Sequence, residues 1–96
     1  MSESARLRLR VIKALKGHTL GGMANSEIAK AVFETPVNVS RALSDLVAEG
    51  FAEKNATGRY VLSVSVLQIA QAHQTELERA RARFDELHQR TTRTVY

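Results

Sequence analysis

The sequence contains no cysteine and no tryptophan, a single proline, and few aromatic residues. Without cysteine, disulfide scaffolds, thiolate metal sites and cysteine nucleophiles are excluded, so packing must hold the fold, with help from a second copy of the chain where one core is too small. No window approaches the roughly 18 apolar residues of a membrane-spanning helix, and Met1 to Arg10 puts no apolar run behind its charges. Neither a membrane span nor a signal peptide is expected, and a cytoplasmic location is. No carboxylate pair, nucleophile with a neighbouring base, or phosphate loop can be picked out. The Gly21-Gly22 pair lacks both the G-x-x-x-x-G-K spacing and a strand in front of it. The histidines are scattered, and His73 with Glu76 is one i, i+3 pair where a metal needs several converging groups. No enzyme activity, cofactor or metal is therefore expected.

What is present is an ordinary soluble composition, 44% hydrophobic and 25% charged over 96 residues, enough for one core and too short for two. The formal charge of +4 permits a polyanionic partner. The excess is concentrated at the start, where Arg6, Arg8, Arg10, Lys13 and Lys16 face Glu3 alone. Composition changes character at Ser65, after which neither glycine nor proline occurs and Ala, Gln, Glu and Arg dominate. Residues 1–64 are accordingly expected to form a compact domain, and residues 65–96 a long helix with a frayed tail.

Leu7, Val11, Ala14 and Leu15 fall within about a 100° arc of a helix, with Ile12 at its margin and Gly17 as the stop signal. Arg6, Arg10 and Lys13 share another face, either simply solvated or available to phosphates. After a connection with a short extended piece at Gly22 to Ala24, Asn25 or Ser26 can cap a second helix that turns Ile28, Ala29 and Val32 inward. Thr35-Pro36 then reads as an N-cap followed by a proline at the first helical position, where its missing N–H costs nothing. Val39, Leu43, Leu46 and Val47 form the apolar stripe of this third helix, and Gly50 closes it. Residues 51–54 and 60–62 are candidate strands around the turn-forming run Asn55 to Arg59.

Two helices joined by a short turn, the second opened by Thr-Pro, have the organisation of a helix-turn-helix, and a following hairpin makes it winged. The predicted fold class is mainly α with a small β-hairpin, followed by a long C-terminal helix. The residues NSEIAKAV, TPVNVSRALSDLVAEGF and GRYVL, in this order, resemble the DNA-binding domain of IclR-type transcriptional regulators over about residues 5–73. That resemblance implies a winged helix-turn-helix that binds double-stranded DNA. Regulators of this type carry a large effector domain after the module, which this sequence does not show, so the resemblance carries over no ligand-sensing domain. One departure stands out. Where such turns usually place glycine and then an apolar residue, this chain has Phe33-Glu34, and a bulky residue at positive φ costs on the order of 1 kcal/mol or more. The turn is expected to be rebuilt, with Phe33 facing the core.

With Val39 as the centre of the buried face, Val37, Arg41, Ser44 and Ala48 lie opposite, and Asn38 and Ser40 lie at the edges. Near the start of a recognition helix, Arg41 suits guanine O6 and N7, Val37 a thymine methyl, and Asn38 an adenine or a phosphate. The competing readings are an Arg41–Asp45 pair at i, i+4, surface packing of Val37 against the turn, and Ser40 as surface filler. Thr35, Val37, Asn38, Ser40, Arg41 and Ser44 are the candidate groove residues. Lys54 and Arg59 on the wing, with Arg6, Arg10 and Lys13, are the candidate phosphate contacts.

In the last helix Val66, Ala70, His73, Leu77, Ala80, Phe84, Leu87 and Thr91 are spaced alternately four and three apart, the seam of a coiled coil. The helix is longer than one small domain can cover, and its simplest partner is the same helix of a second chain. Ala70, His73, Leu77, Ala80, Phe84 and Leu87 are the candidate dimerisation residues, with antiparallel pairing or pairing with the first helix of the other chain left open because the alanines make the seam thin, and a free, partly frayed helix or a docking helix for another protein as the alternatives. The expected function is sequence-specific binding of double-stranded DNA by a homodimeric transcriptional regulator. A winged-helix protein adaptor and a nonspecific architectural DNA binder are the alternatives.

Overall fold

The structure, a computed structural model, describes residues 1–93. Its elements in order are α1 (Glu3–Leu15), α2 (Asn25–Val32), α3 (Pro36–Ala48), β1 (Ala52–Lys54), β2 (Tyr60–Leu62) and α4 (Val64–Arg93). Helix, helix-turn-helix and antiparallel hairpin form a winged helix-turn-helix, followed by the long helix that the sequence predicts. The chain divides into two units, Met1–Val66 and Leu67–Tyr96. Of the tail expected to fray, residues 94–96 lie outside the described residues.

In the first unit, Ser2 caps α1 by accepting a hydrogen bond from the Ala5 N–H at 3.1 Å, and Glu3 occupies the positive first turn. Leu7, Val11 and Leu15 line up four apart and are buried, while Ile12 and Ala14 pack at the margin of the stripe. From α2 come Ile28, Ala29 and Val32, and from α3 Val39, Ala42, Leu43 and Leu46. Val47, expected to point inward, is 44% exposed. The reason is the approach of α1 along the side of α3 that carries Asp45, which tips the core toward Ala42 and leaves the opposite margin outside.

The cap of α2 also differs from expectation. Its N-cap is Ala24, not Asn25 or Ser26, and the Ala24 N–H is satisfied by Glu27 Oε1 reaching back at 3.0 Å. Asn25 is thereby free for another task. Its Nδ2 donates to Ser40 Oγ at 2.7 Å and to the Pro36 carbonyl at 3.3 Å, tying the start of α2 to α3.

Phe33 does not face the core. It ends α2 in the left-handed region, at φ 56° and ψ 50°, and its side chain is 93% exposed. The helix needs one left-handed residue to turn back on itself, as the Glu34 N–H bonding the Ala29 carbonyl at 3.0 Å requires. A side chain leaving from that position points outward, so the turn keeps its usual geometry and Phe33 carries the backbone cost.

The hairpin pairs Ala52 with Leu62, Glu53 with Val61 and Lys54 with Tyr60. Met23 and Tyr60 exchange backbone bonds at 2.9 and 2.8 Å, so the extended piece before α2 adds a short rung to the sheet. Gly22 makes that approach possible: at φ 74°, a Cβ there would lie 2.8 Å from the Tyr60 carbonyl oxygen. The hairpin is closed by buried Ser63, whose N–H donates to the Phe51 carbonyl at 3.0 Å and whose Oγ donates to the Gly50 carbonyl. The same Oγ accepts from the Val66 N–H and starts α4.

In the second unit, the helix from Leu67 to Arg93 is about 40 Å long at 1.5 Å per residue. None of its described residues is buried.

Candidate nucleic-acid interface

Thr35 sets the direction of α3: its Oγ1 accepts from the Asn38 N–H at 3.2 Å, and Pro36 supplies the preset φ of the first turn. With Val39, Leu43 and Leu46 held inside, Val37, Arg41, Ser44 and Ala48 stand on the opposite face and are exposed. They form a shallow strip with one cation, one hydroxyl and two apolar groups.

The residues at its edges are more committed. Asn38 is half-buried, and its Nδ2 donates to Glu34 Oε1 at 3.0 Å, the same oxygen that accepts from the Thr35 N–H. Glu34 holds its carboxyl below the usual carboxylate range, chiefly through the Asn38 bond and then the Thr35 N–H, with the Arg10 charge adding to both. Ser40 accepts the Asn25 bond. Asn38 and Ser40 therefore brace the start of α3 against the turn and α2.

The i, i+4 pair of Arg41 with Asp45 does not form. Asp45 is taken by Arg8 of α1, whose Nε lies 2.8 Å from Oδ2 while Nη1 donates to the Ser4 carbonyl. Arg41 is left exposed, without a hydrogen bond or ion pair among the described residues. Arg8 was not singled out among the N-terminal cations, although its helical angle, some 60° from Val11 at 100° per residue, sets it apart from Arg6, Arg10 and Lys13.

On the wing, Asn55 organises the turn: its Oδ1 accepts from the Thr57 and Arg59 N–H groups at 3.0 Å each and from Thr57 Oγ1 at 2.6 Å. Arg59 does not extend from the tip. Its Nη2 donates to the Glu27 carboxylate and its Nε to the Gly22 carbonyl at 3.3 Å, which draws it back onto the body. The pull comes from Glu27, which already caps α2 and whose carboxyl is lowered first by the Ala24 N–H and further by Arg59. Lys54 remains as the exposed cation of the wing, its Nζ 5.6 Å from the centre of the Tyr60 ring. On α1, Arg6, Arg10 and Lys13 are exposed together, with Arg6 Nη1 3.6 Å from Glu3 Oε1.

The candidate seam of α4 is open along its length. Ala70, His73, Leu77, Ala80, Phe84 and Leu87 are all exposed, Phe84 to 71%. Among the described residues no group of three or more metal-ligating side chains gathers, and no helix is long and apolar enough to cross a membrane.

A buried three-helix core, a short turn into α3 and a hairpin beside it define the class of winged helix-turn-helix folds. Solved structures that share it include the following two. HmgR from Pseudomonas aeruginosa superposes with a TM-score of 0.65 and 29% identity, over 74% of this chain and 29% of its own. An IclR family transcriptional regulator from Brucella abortus gives 0.66 and 24%, over 80% of this chain and 29% of its own. The likeness to both is one of fold, and it is the fold that the sequence resemblance implies. The chain spans less than a third of the length of either structure. No protein-family model matches the sequence, and no curated protein does.

Proposed function

We propose that this chain is a sequence-specific, double-stranded-DNA-binding transcriptional regulator, acting as a homodimer without a cofactor. The observation that carries the reading is the exposed strip of α3, on which Arg41 has no partner among the described residues while Asp45 is neutralised from behind. The fold shared with a solved IclR family transcriptional regulator is in keeping with this reading. In this reading residues 1–64 bind DNA and residues 65–96 bring two copies together in the cytoplasm.

The division of labour follows from which groups are free. Arg41 presents the planar fork that matches guanine O6 and N7, and Val37 can lie against a thymine methyl. Ser44 adds a hydroxyl further along the groove, and the Thr35 hydroxyl keeps its proton to donate to a phosphate. Asn38 and Ser40 act by holding α3 at its angle. Lys54, Arg6, Arg10 and Lys13 supply phosphate contacts, each steepening the salt dependence by close to one unit. Arg59 contributes chiefly by fixing the wing to α2.

The test is selection from a random duplex library followed by titration of single variants. Arg41→Ala should lose about 1–3 kcal/mol of discrimination at one base position, whereas Lys54→Ala should weaken all duplexes alike. Equal affinity for selected and random DNA would favour an architectural role. No binding at low salt would leave a protein adaptor, with the C-terminal helix as its docking element.

A further inference from the structure

We infer that α4 pairs with α4 of a second copy in the antiparallel direction, with Ala70 opposite Leu87 of the partner subunit. The inference deepens the homodimer reading above and rests on it. Its basis is the order of side-chain sizes along the exposed seam.

A two-stranded coiled coil keeps its axes at a nearly constant separation, so successive layers across the seam must be of similar bulk. Run parallel, each seam residue meets its own copy. Ala70 and Ala80 would make two thin layers, Phe84 would make one oversized layer, and two imidazoles would meet at His73. Run antiparallel about a centre between Glu78 and Arg79, every small residue meets a large one. Ala70 faces the partner subunit's Leu87, His73 faces the partner subunit's Phe84, and Leu77 faces the partner subunit's Ala80. The two-fold axis repeats each layer, giving six whose bulk varies less than in the parallel arrangement, where it would run from two alanines to two phenylalanines. All six residues are exposed in the single chain, so nothing within the described fold competes for them.

Charge identifies the occupant as a second copy. In the antiparallel register Glu76, flanking the seam, lies beside Arg83 of the partner subunit, and symmetry makes the contact twice. No like-charge pair faces across the flanks of this register. The parallel arrangement also neutralises Glu76, through the partner subunit's Arg81, but sets Arg83 against His88 of the partner subunit. Layer size therefore decides the direction, and charge is satisfied in the direction that size selects.

A chain without cysteine permits a direct test by disulfide trapping. In the antiparallel register the two copies of residue 70 are about 25 Å apart along the helix, beyond the roughly 7 Å limit for a disulfide. Ala70→Cys alone and Leu87→Cys alone should stay uncross-linked under mild oxidation, while a mixture of the two should give a covalent heterodimer. A covalent homodimer from Ala70→Cys alone would overturn the direction and leave the homodimer standing. No cross-link in the mixture, from a wild-type chain that sediments as a dimer, would place the contact elsewhere. A wild-type chain that sediments as a monomer at the concentrations used would remove the homodimer itself. A second measurement avoids cysteine. Glu76→Arg should raise the dimer dissociation constant severalfold, with recovery on adding Arg83→Glu; recovery by Arg81→Glu instead would favour parallel strands.

Discussion

Arg8 of α1 and Asp45 of α3 are joined across 37 positions of sequence, with Nε 2.8 Å from Oδ2. The pair locks the first helix to the third and removes a negative charge from beside the exposed strip that Arg41 occupies. Asp45 is 59% exposed, so solvent screens the attraction and the coupling in a double-mutant cycle should stay below about 1 kcal/mol of folding stability. The effect on binding should be clearer. Arg8→Ala frees a carboxylate one helical turn from Arg41, and DNA affinity should fall by about 1 kcal/mol at low salt. Adding Asp45→Ala should restore it, as a fluorescence titration of the three variants would establish.

Phe33 occupies a left-handed conformation with its ring in solvent, so the fold bears the backbone cost without packing in return. Phe33→Gly should raise unfolding stability by about 1 kcal/mol, seen as a higher denaturant midpoint at unchanged slope. A lower midpoint would mean that the ring makes a contact worth more than the strain.

Gly22 and Gly17 both have positive φ, but only Gly22 is crowded. Gly17→Ala should lose about 1 kcal/mol, the backbone term alone. Gly22→Ala should lose at least about 2 kcal/mol, because its methyl would push on the Tyr60 carbonyl and open the rung between Met23 and Tyr60. Equal losses in thermal denaturation would show that the rung yields without cost.

Glu27 and Glu34 are both held below the usual carboxylate range, by the Ala24 N–H and Arg59 in one case and by Asn38 and the Thr35 N–H in the other. With the folded pKa below the unfolded value, the unfolded chain takes up protons first as acid is added. The stability contributed by these groups is complete above the ordinary glutamate range, near 4.3, and is lost as pH falls through the folded values. Denaturant midpoints measured downward from pH 6 should decline below about pH 4.5. Glu27→Gln with Glu34→Gln should flatten the decline.

Much of this was legible in the residue order. Apolar spacing located α1, α2 and α3, Thr35-Pro36 marked the start of the third helix, and turn residues between 55 and 59 marked the wing. These signals are local, written within one or two turns of backbone, and survive whatever surrounds them. The cap of α2 was harder to read because two signals overlapped: Asn25 looks like a cap, but Glu27 three residues after Ala24 serves that end. Asn25 bonds Ser40 and Pro36, which lie far along the sequence, and spacing has no means of announcing that.

By itself the sequence determined which segments are helical or extended, most of the stripe that α1, α2 and α3 turn inward, and that Arg41 sits opposite the stripe of its helix. Periodicity and capping chemistry act over a few residues and needed nothing more. Only the tertiary structure decided which charges are free, because pairing depends on which helices meet. Arg8 rather than Arg41 holds Asp45, Glu27 draws Arg59 off the wing tip, and Phe33 turns outward because the chain reverses there.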